Sequence, residues 1–168
     1  MARRELAEET QRFIRNCPEQ EINVAIMKGD VEWVEELLSK DVNINVQAFA
    51  YHHKYHEPVQ IASELGHVDI LRLLLSEPDV DVNATIGYET ALSNAVRNGH
   101  NEVVEILLKD ERIQVNQNKG VALFTACESN KLDAVRLLLQ HPDIDPNLEY
   151  DSNSPLMIAC EKGYIEVV

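Results

Sequence analysis

The sequence predicts an all-α solenoid of stacked helix–turn–helix units with short β-like fingers and an N-terminal capping helix. Three observations predict it. Ala25, Ala62, Ala95, Ala126 and Ala159 each stand four residues before Gly29, Gly66, Gly99, Asn130 and Gly163, at a spacing close to 33 residues. Leucine pairs follow in the first four copies, at Leu37-Leu38, Leu74-Leu75, Leu107-Leu108 and Leu138-Leu139. Each of those copies then closes on an asparagine: Asn45, Asn83, Asn116 and Asn147. A period in this range marks an array whose units bury their apolar sides only against their neighbours.

The N-terminal stretch RRELAEETQRFIR carries Leu6, Phe13 and Ile14 on one side of a helix, ended by Asn16-Cys17-Pro18. It reads as the cap over the first repeat, 1–17, with the array occupying 18–168. The repeats fall near 20–48, 57–85, 90–118 and 121–149, with a truncated fifth at 154–168. In the second, Pro58 opens the first helix, where no amide hydrogen is needed, and Gly66 ends it, because the left-handed turn admits glycine or asparagine. HVDILRLLLS forms the second helix, with Val68, Leu71, Leu74 and Leu75 inward. SEPDVDVN reads as an extended segment with alternating valines. Helices of two or three turns do not persist alone in water, so packing between units must stabilise them.

These residues resemble the ankyrin repeat family. SPLMIA at 154–159 looks like its Thr-Pro-Leu-His-x-Ala motif, and ETALSNAVRNGHNEVVEILL at 89–108 follows its two-helix pattern. The resemblance spans roughly residues 20–168. Three departures stand out. The motif histidine is replaced by Asn23, Gln60, Ser93, Phe124 and Met157, which puts its hydrogen bond between repeats in doubt. Val121 stands at a threonine position and offers no capping hydroxyl. Asn130 replaces the turn glycine, a tolerable exchange. Spacing varies too: Ala25 to Ala62 is 37 residues, lengthening the aromatic finger NVQAFAYHHKYHEP, and Ala95 to Ala126 is 31, trimming the third finger.

Bulk properties exclude several classes. A formal charge of −14 repels phosphate backbones and argues against nucleic acid, while favouring a basic or neutral protein partner. Aromatic residues make up only 5% of the chain, so Leu, Ile, Val and Ala must build the core. Cys127 and Cys160 occupy equivalent places one repeat apart, too distant for a disulfide, and read as small buried thiols in a reducing, cytoplasmic compartment. No apolar run approaches the ~20 residues needed to span a bilayer, and the N-terminus lacks a signal-peptide h-region. The chain stops at YIEVV, inside the expected second helix of the fifth repeat. An array ending there leaves an apolar flank bare, which reads as the N-terminal part of a longer protein.

No motif here builds an enzyme. His52, His53 and His56 in HHKYH lie in a finger with only Glu57 as nearby carboxylate, so a contact patch is favoured over a metal site. Cys127 and Cys160 stand beside core alanines, which favours inert burial over nucleophilic chemistry. No phosphate-cradling loop is present, and the Pro-Asp pairs lack calcium-loop spacing. Trp33 sits at a core-type position. No cofactor is implied, and a monomer is expected.

In the ankyrin family, partners meet the finger tips and the inner helix face. By resemblance, the finger positions here are Tyr51, His53, Lys54, Tyr55, His56, Tyr88, Glu89, Gln117, Asn118, Tyr150 and Asp151. The inner-helix positions are Glu64, Leu65, Arg97, Asn98 and Glu128. Four of the five tyrosines fall in fingers, and tyrosine is enriched in binding hot spots. Packing of Tyr88 and Tyr150 on the neighbouring finger is the alternative. Leu65 is apolar at a position expected to be exposed. The reading is a protein–protein interaction module that presents a concave, acidic surface. The competing reading is the substrate-recruiting part of an enzyme whose catalytic domain lies beyond residue 168. The Pro-Asp finger style is similar to arrays in protists and in effectors of intracellular bacteria, which would place the protein in a host cytosol. A structural spacer is the third reading.

Val121 and Asn130 both fall in the fourth repeat, which should be the weakest of the array. Amide hydrogen exchange in 121–149 is expected to be faster than in 90–118; equal or slower exchange would refute this.

Overall fold

The computed structural model describes residues 21–40, 42–49 and 55–167. The expected capping helix, Cys17, and residues 50–54 of the long finger lie outside them. Within the described residues the architecture is a row of helical hairpins. They comprise α1 (Glu21–Lys28) and α2 (Val31–Leu38), α3 (Pro58–Leu65) and α4 (Val68–Ser76), α5 (Ala91–Asn98) and α6 (Asn101–Leu108), and α7 (Gln117–Glu128) and α8 (Leu132–Leu139). A single further helix, α9 (Pro155–Lys162), follows. Two fingers carry antiparallel strand pairs, β1 (Ala48–Phe49) with β2 (Tyr55–His56) and β3 (Thr85–Ile86) with β4 (Glu89–Thr90). The odd-numbered helices pack in sequence as an inner row, and the even-numbered ones as an outer row.

The signature residues explain themselves in this arrangement. Ala25, Ala62, Ala95, Ala126 and Ala159 are all fully buried. A larger side chain there would push neighbouring helices apart. Leu37, Leu74, Leu107 and Leu138 enter the core. Their following leucines, Leu38, Leu75 and Leu108, pack against it from the edge. Leu139 is instead exposed, because no outer helix among the described residues follows α8. Asn130 takes the left-handed turn at φ 54° that glycine fills elsewhere. At Gly66 the requirement is double: φ is 73°, and an added Cβ would lie 2.6 Å from the His100 ring of the next repeat.

The closing asparagines hold repeats together by a reciprocal bond. Asn45 Nδ2 donates to Asp79 O (2.8 Å) while the Asp81 N–H donates to Asn45 Oδ1 (2.9 Å). Asn83 bridges in the same way to Arg112 O (2.8 Å) and the Gln114 N–H (2.8 Å). Asn116 bridges to Asp143 O (2.7 Å) and the Asp145 N–H (2.9 Å). A side chain two residues earlier caps three of the asparagines: the Asn45 N–H donates to Asn43 Oδ1 (3.0 Å), the Asn83 N–H to Asp81 Oδ1 and the Asn147 N–H to Asp145 Oδ1 (both 2.9 Å). That bond curls the backbone, so SEPDVDVN is a set of turns and not the expected extended segment. Val80 and Val82 are nonetheless both buried.

The replaced motif histidine has several outcomes. Asn23 Nδ2 donates to Val46 O (2.8 Å), and Gln60 Nε2 donates to Ala84 O (3.2 Å) and Glu89 O (3.1 Å). The bond to the following finger is therefore made in the first two repeats, contrary to the doubt raised by the sequence. Ser93 stays local, exchanging bonds with Thr90 in a capping box (2.9 and 3.0 Å). Trp33 is half-buried against the core with the Lys28 ammonium 5.0 Å from its ring centre.

Asn83→Ala removes two inter-repeat hydrogen bonds and is expected to lower stability by about 1–3 kcal/mol in urea unfolding; no change would show that the rung is replaced by water at no loss. Acid should act through His67, whose ring covers Gly29. Burial, then the charge of His100, lowers its pKa below the ordinary value. The folded state thus favours the neutral ring: its contribution is complete above the unfolded value near 6.5 and is lost as pH falls through the folded one. The stability difference between the native chain and His67→Gln should therefore shrink between pH 7.5 and pH 5 in thermal melts.

Candidate functional site

The site grows from the shortened third finger. With two residues fewer than the usual period, the chain between α6 and the inner helix of the fourth repeat has no room for a strand hairpin. It turns instead through three successive left-handed residues, Asn118 (φ 50°), Lys119 (φ 59°) and Gly120 (φ 69°), directly ahead of Val121. The Gly120 N–H closes this turn on Asn116 O (3.0 Å). Lys119 in this conformation costs about 1 kcal/mol relative to glycine. Gln117 and Asn118 then reach back to the previous finger, Gln117 Nε2 to Asn83 O (2.6 Å) and Asn118 Nδ2 to Tyr88 O (3.1 Å). No threonine-type cap is made at Val121, in line with the sequence.

The missing hairpin leaves a notch of about 480 Å³ between the second and fourth fingers, lined by Ile86, Gly87, Tyr88, Glu89, Arg97, Val121 and Tyr150. The fourth finger bends toward it, tied by Tyr150 N–H to Asn153 O (3.0 Å) and Asn153 N–H to Tyr150 O (3.1 Å). Phe124, at the position of the motif histidine, takes the Tyr150 ring at 5.0 Å. Tyr150 in turn meets Tyr88 edge-on, at 5.7 Å and 89°. Tyr88 is still 66% exposed. Packing and exposure thus coexist: Tyr150 is held by its neighbours, and Tyr88 stands into solvent. Burial, then the charges of Tyr88 and Asp151, raises the Tyr150 pKa above its ordinary value and keeps its hydroxyl protonated.

An ion pair forms the rim. Arg97 Nη1 donates to Glu89 Oε1 at 2.6 Å, with the carboxylate the more buried partner. On the next inner helix, Lys162 Nζ lies 3.6 Å from Glu128 Oε1 and donates to Glu128 O (3.1 Å). Lys28, Glu64, Arg97, Glu128 and Lys162 thus alternate in sign along the inner row. The exposed acids concentrate elsewhere, on outer helices (Glu35, Glu36, Asp69, Glu102, Glu105, Asp133) and in the aspartate turns. A uniformly acidic inner face is not what the described residues carry.

The notch gathers Tyr88, Glu89, Arg97 and Tyr150 from the residues singled out in sequence, with Asp151 adjoining Tyr150 and Gln117 and Asn118 behind it. Asn98 turns back onto its own helix, donating to Asn94 O (2.9 Å). Three expectations need correction. His56 is not a finger-tip contact: it is 2% exposed, with Nε2 3.7 Å from Glu64 Oε2 and Nδ1 without a partner among the described residues. Leu65 is half-buried against the core and does not project. Cys160 is exposed, because nothing among the described residues covers that side of α9, whereas Cys127 is buried and its thiol is pushed up to about 11. Tyr51, His53 and Lys54 lie outside the described residues, and Tyr55 is placed only by its backbone pairing with Phe49. Val121 and Phe124 are site residues that sequence reading took for defects. Their clustering with the trimmed finger in one repeat is the signal that could have exposed them.

Among the described residues no group of three His, Cys, Asp or Glu side chains could hold a metal ion, and no helix is long and apolar enough to cross a membrane. A family model described as ankyrin repeats (3 copies) matches residues 22–119 and again 92–168. The chain is 36% identical over 154 residues to "Ankyrin repeat and KH domain-containing protein mask-1" of Caenorhabditis elegans, covering 88% of this chain and 6% of that protein. It is 31% identical over 161 residues to "Ankyrin repeat and KH domain-containing protein CBG24701" of Caenorhabditis briggsae, covering 93% and 6%. A rice protein described as "Probable E3 ubiquitin-protein ligase XBOS33" is 39% identical over 88 residues, 50% of this chain and 17% of its own length. The chain thus spans only a small part of these relatives.

Proposed function

The chain belongs to the ankyrin-repeat family, whose repeats are protein–protein interaction modules, and on that footing we propose that it binds a protein partner through its fingers and inner helices, with the notch at Tyr88 and Tyr150 as the energetic centre. The observation that carries this reading is Tyr88, a large aromatic side chain left 66% exposed beside a recess, with its ring edge-on to Tyr150. Pre-organised aromatic anchors beside a pocket supply most of the energy at such interfaces. The surrounding recess is built on two inner helices, through Arg97 and Val121, and on the tied fourth finger, through Tyr150. The net charge of −14 steers basic or neutral partners toward the array. The stack acts by presenting surface, with no chemical step, in a reducing cytoplasmic setting.

A second reading is favoured by the likeness to the rice protein whose name is that of a ubiquitin ligase: the repeats would recruit a substrate for a catalytic domain elsewhere in the protein, an effector acting in a host cell being one version. The same surface would serve both readings. Assay of a longer chain for catalytic activity separates them.

Tyr88→Ala and Arg97→Ala should each weaken binding to a partner recovered by affinity capture, by about tenfold for a hot-spot residue, with melting temperature within a degree or two of the native chain. Unchanged affinity in both variants overturns the assignment of the notch.

A further inference from the structure

We propose that the notch takes a single arginine side chain of an extended, basic segment of the partner. This deepens the interaction reading above and rests on it. The two tyrosine rings stand at right angles with centres 5.7 Å apart and form an open corner. A planar guanidinium fits such a corner by stacking on one ring and meeting the edge of the other, and it sheds water more readily than an ammonium. The recess of about 480 Å³ has room for one long side chain from a segment lying across the fingers. Gly87, at the tip of the second finger, leaves the approach clear: a Cβ there would meet nothing within 4 Å.

Charge selects the occupant. Near Tyr150 stand Asp151 and Glu128 with the cation Arg97, and Glu128 is already met by Lys162 at 3.6 Å. Glu89 at the rim engages Arg97 at 2.6 Å, which leaves Asp151 as the carboxylate there with no ion pair among the described residues. An acidic side chain would have to displace Glu89 from Arg97 within the field of a chain of charge −14. An apolar side chain would cover the Arg97–Glu89 pair and desolvate it without return. A guanidinium meets the aromatic rings and brings its donors to the Asp151 carboxylate. Asp151 follows the lining residue Tyr150 directly in the chain and is exposed on a left-handed turn at φ 50°.

The test is a heteronuclear NMR titration of this chain with the peptide acetyl-Ala-Ala-Arg-Ala-Ala-amide. The controls replace arginine by citrulline, phenylalanine or glutamate. Saturable shifts at Gly87, Tyr88, Val121 and Tyr150 are expected with arginine, with affinity about fivefold weaker for citrulline, the loss expected when a cation over an aromatic ring is made neutral. Tyr88→Ala, whose side chain is mostly exposed and can be removed without unfolding, should abolish the shifts. Equal binding of citrulline, or tighter binding of the phenylalanine or glutamate peptide, overturns the proposal, as does the absence of any saturable shift. If the arginine peptide fails while Tyr88→Ala still weakens the captured partner, the arginine assignment falls and the interaction reading stands. If both fail, both fall.

Discussion

No unit of this chain can bury its apolar side by itself, and every other feature follows from that. Helices of eight residues recur along the array, a length at which the helical state is marginal in water. The fully buried alanines permit close approach of the inner helices, and the buried first leucine of each pair closes the space beneath the outer ones. The asparagine rungs add direction to this non-directional burial. Each uses one side-chain amide as donor and acceptor to the backbone of the next repeat, at matched distances of 2.7–2.9 Å. Burial decides that repeats stack; the rungs decide at what register.

The same dependence explains why a two-residue deletion creates a site without breaking the fold. The rungs at Asn83 and Asn116 lie on either side of the shortened segment and are both made. The register of the stack is thus preserved, and the loss is absorbed in the finger. There the backbone adopts three left-handed residues in place of a hairpin. The space that a hairpin would fill is entered by Tyr150 from one side and bordered by Tyr88 from the other. Phe124 completes the change. A histidine at that position would seek a backbone partner, whereas the phenyl ring offers a platform for Tyr150. Val121, Phe124 and the trimmed finger are therefore one coordinated alteration of the fourth repeat.

How much of this was legible in the sequence depends on the range of the interaction involved. The alanine, glycine, leucine and asparagine register repeats with the chain, so helices, turns and core positions could be read from spacing alone. Val80 and Val82 alternate as a strand would, yet the side chain of Asp81 bonds the backbone two residues on and bends it. Local polar competition overrode the hydrophobic pattern there. His56 and Leu65 were misplaced because a finger position and the end of an inner helix can each turn a side chain inward, His56 toward Glu64 and Leu65 toward the core, which spacing does not encode. Cys160 repeats the position of Cys127 but has no covering neighbour among the described residues. In an array, equivalent positions are equivalent only where both neighbours are present. The tyrosine pair was the hardest to read, since Tyr88 and Tyr150 meet across a finger that had to be absent.

The distribution of charge assigns separate tasks to separate surfaces. The acidic excess sits on the outer helices and in the aspartate turns, where the aspartates also cap backbone amides. Its long-range field acts on any approaching body and is screened beyond a Debye length of about 8 Å at physiological salt. It can favour a class of partner but cannot choose within it. The inner row, with signs alternating from Lys28 to Lys162, has little net field of its own. Discrimination there must come from contact, where Glu89 and Arg97 lie at 2.6 Å beside two aromatic rings. A surface that attracts broadly and a notch that fits narrowly make different demands on a ligand, and a segment must satisfy both to remain bound.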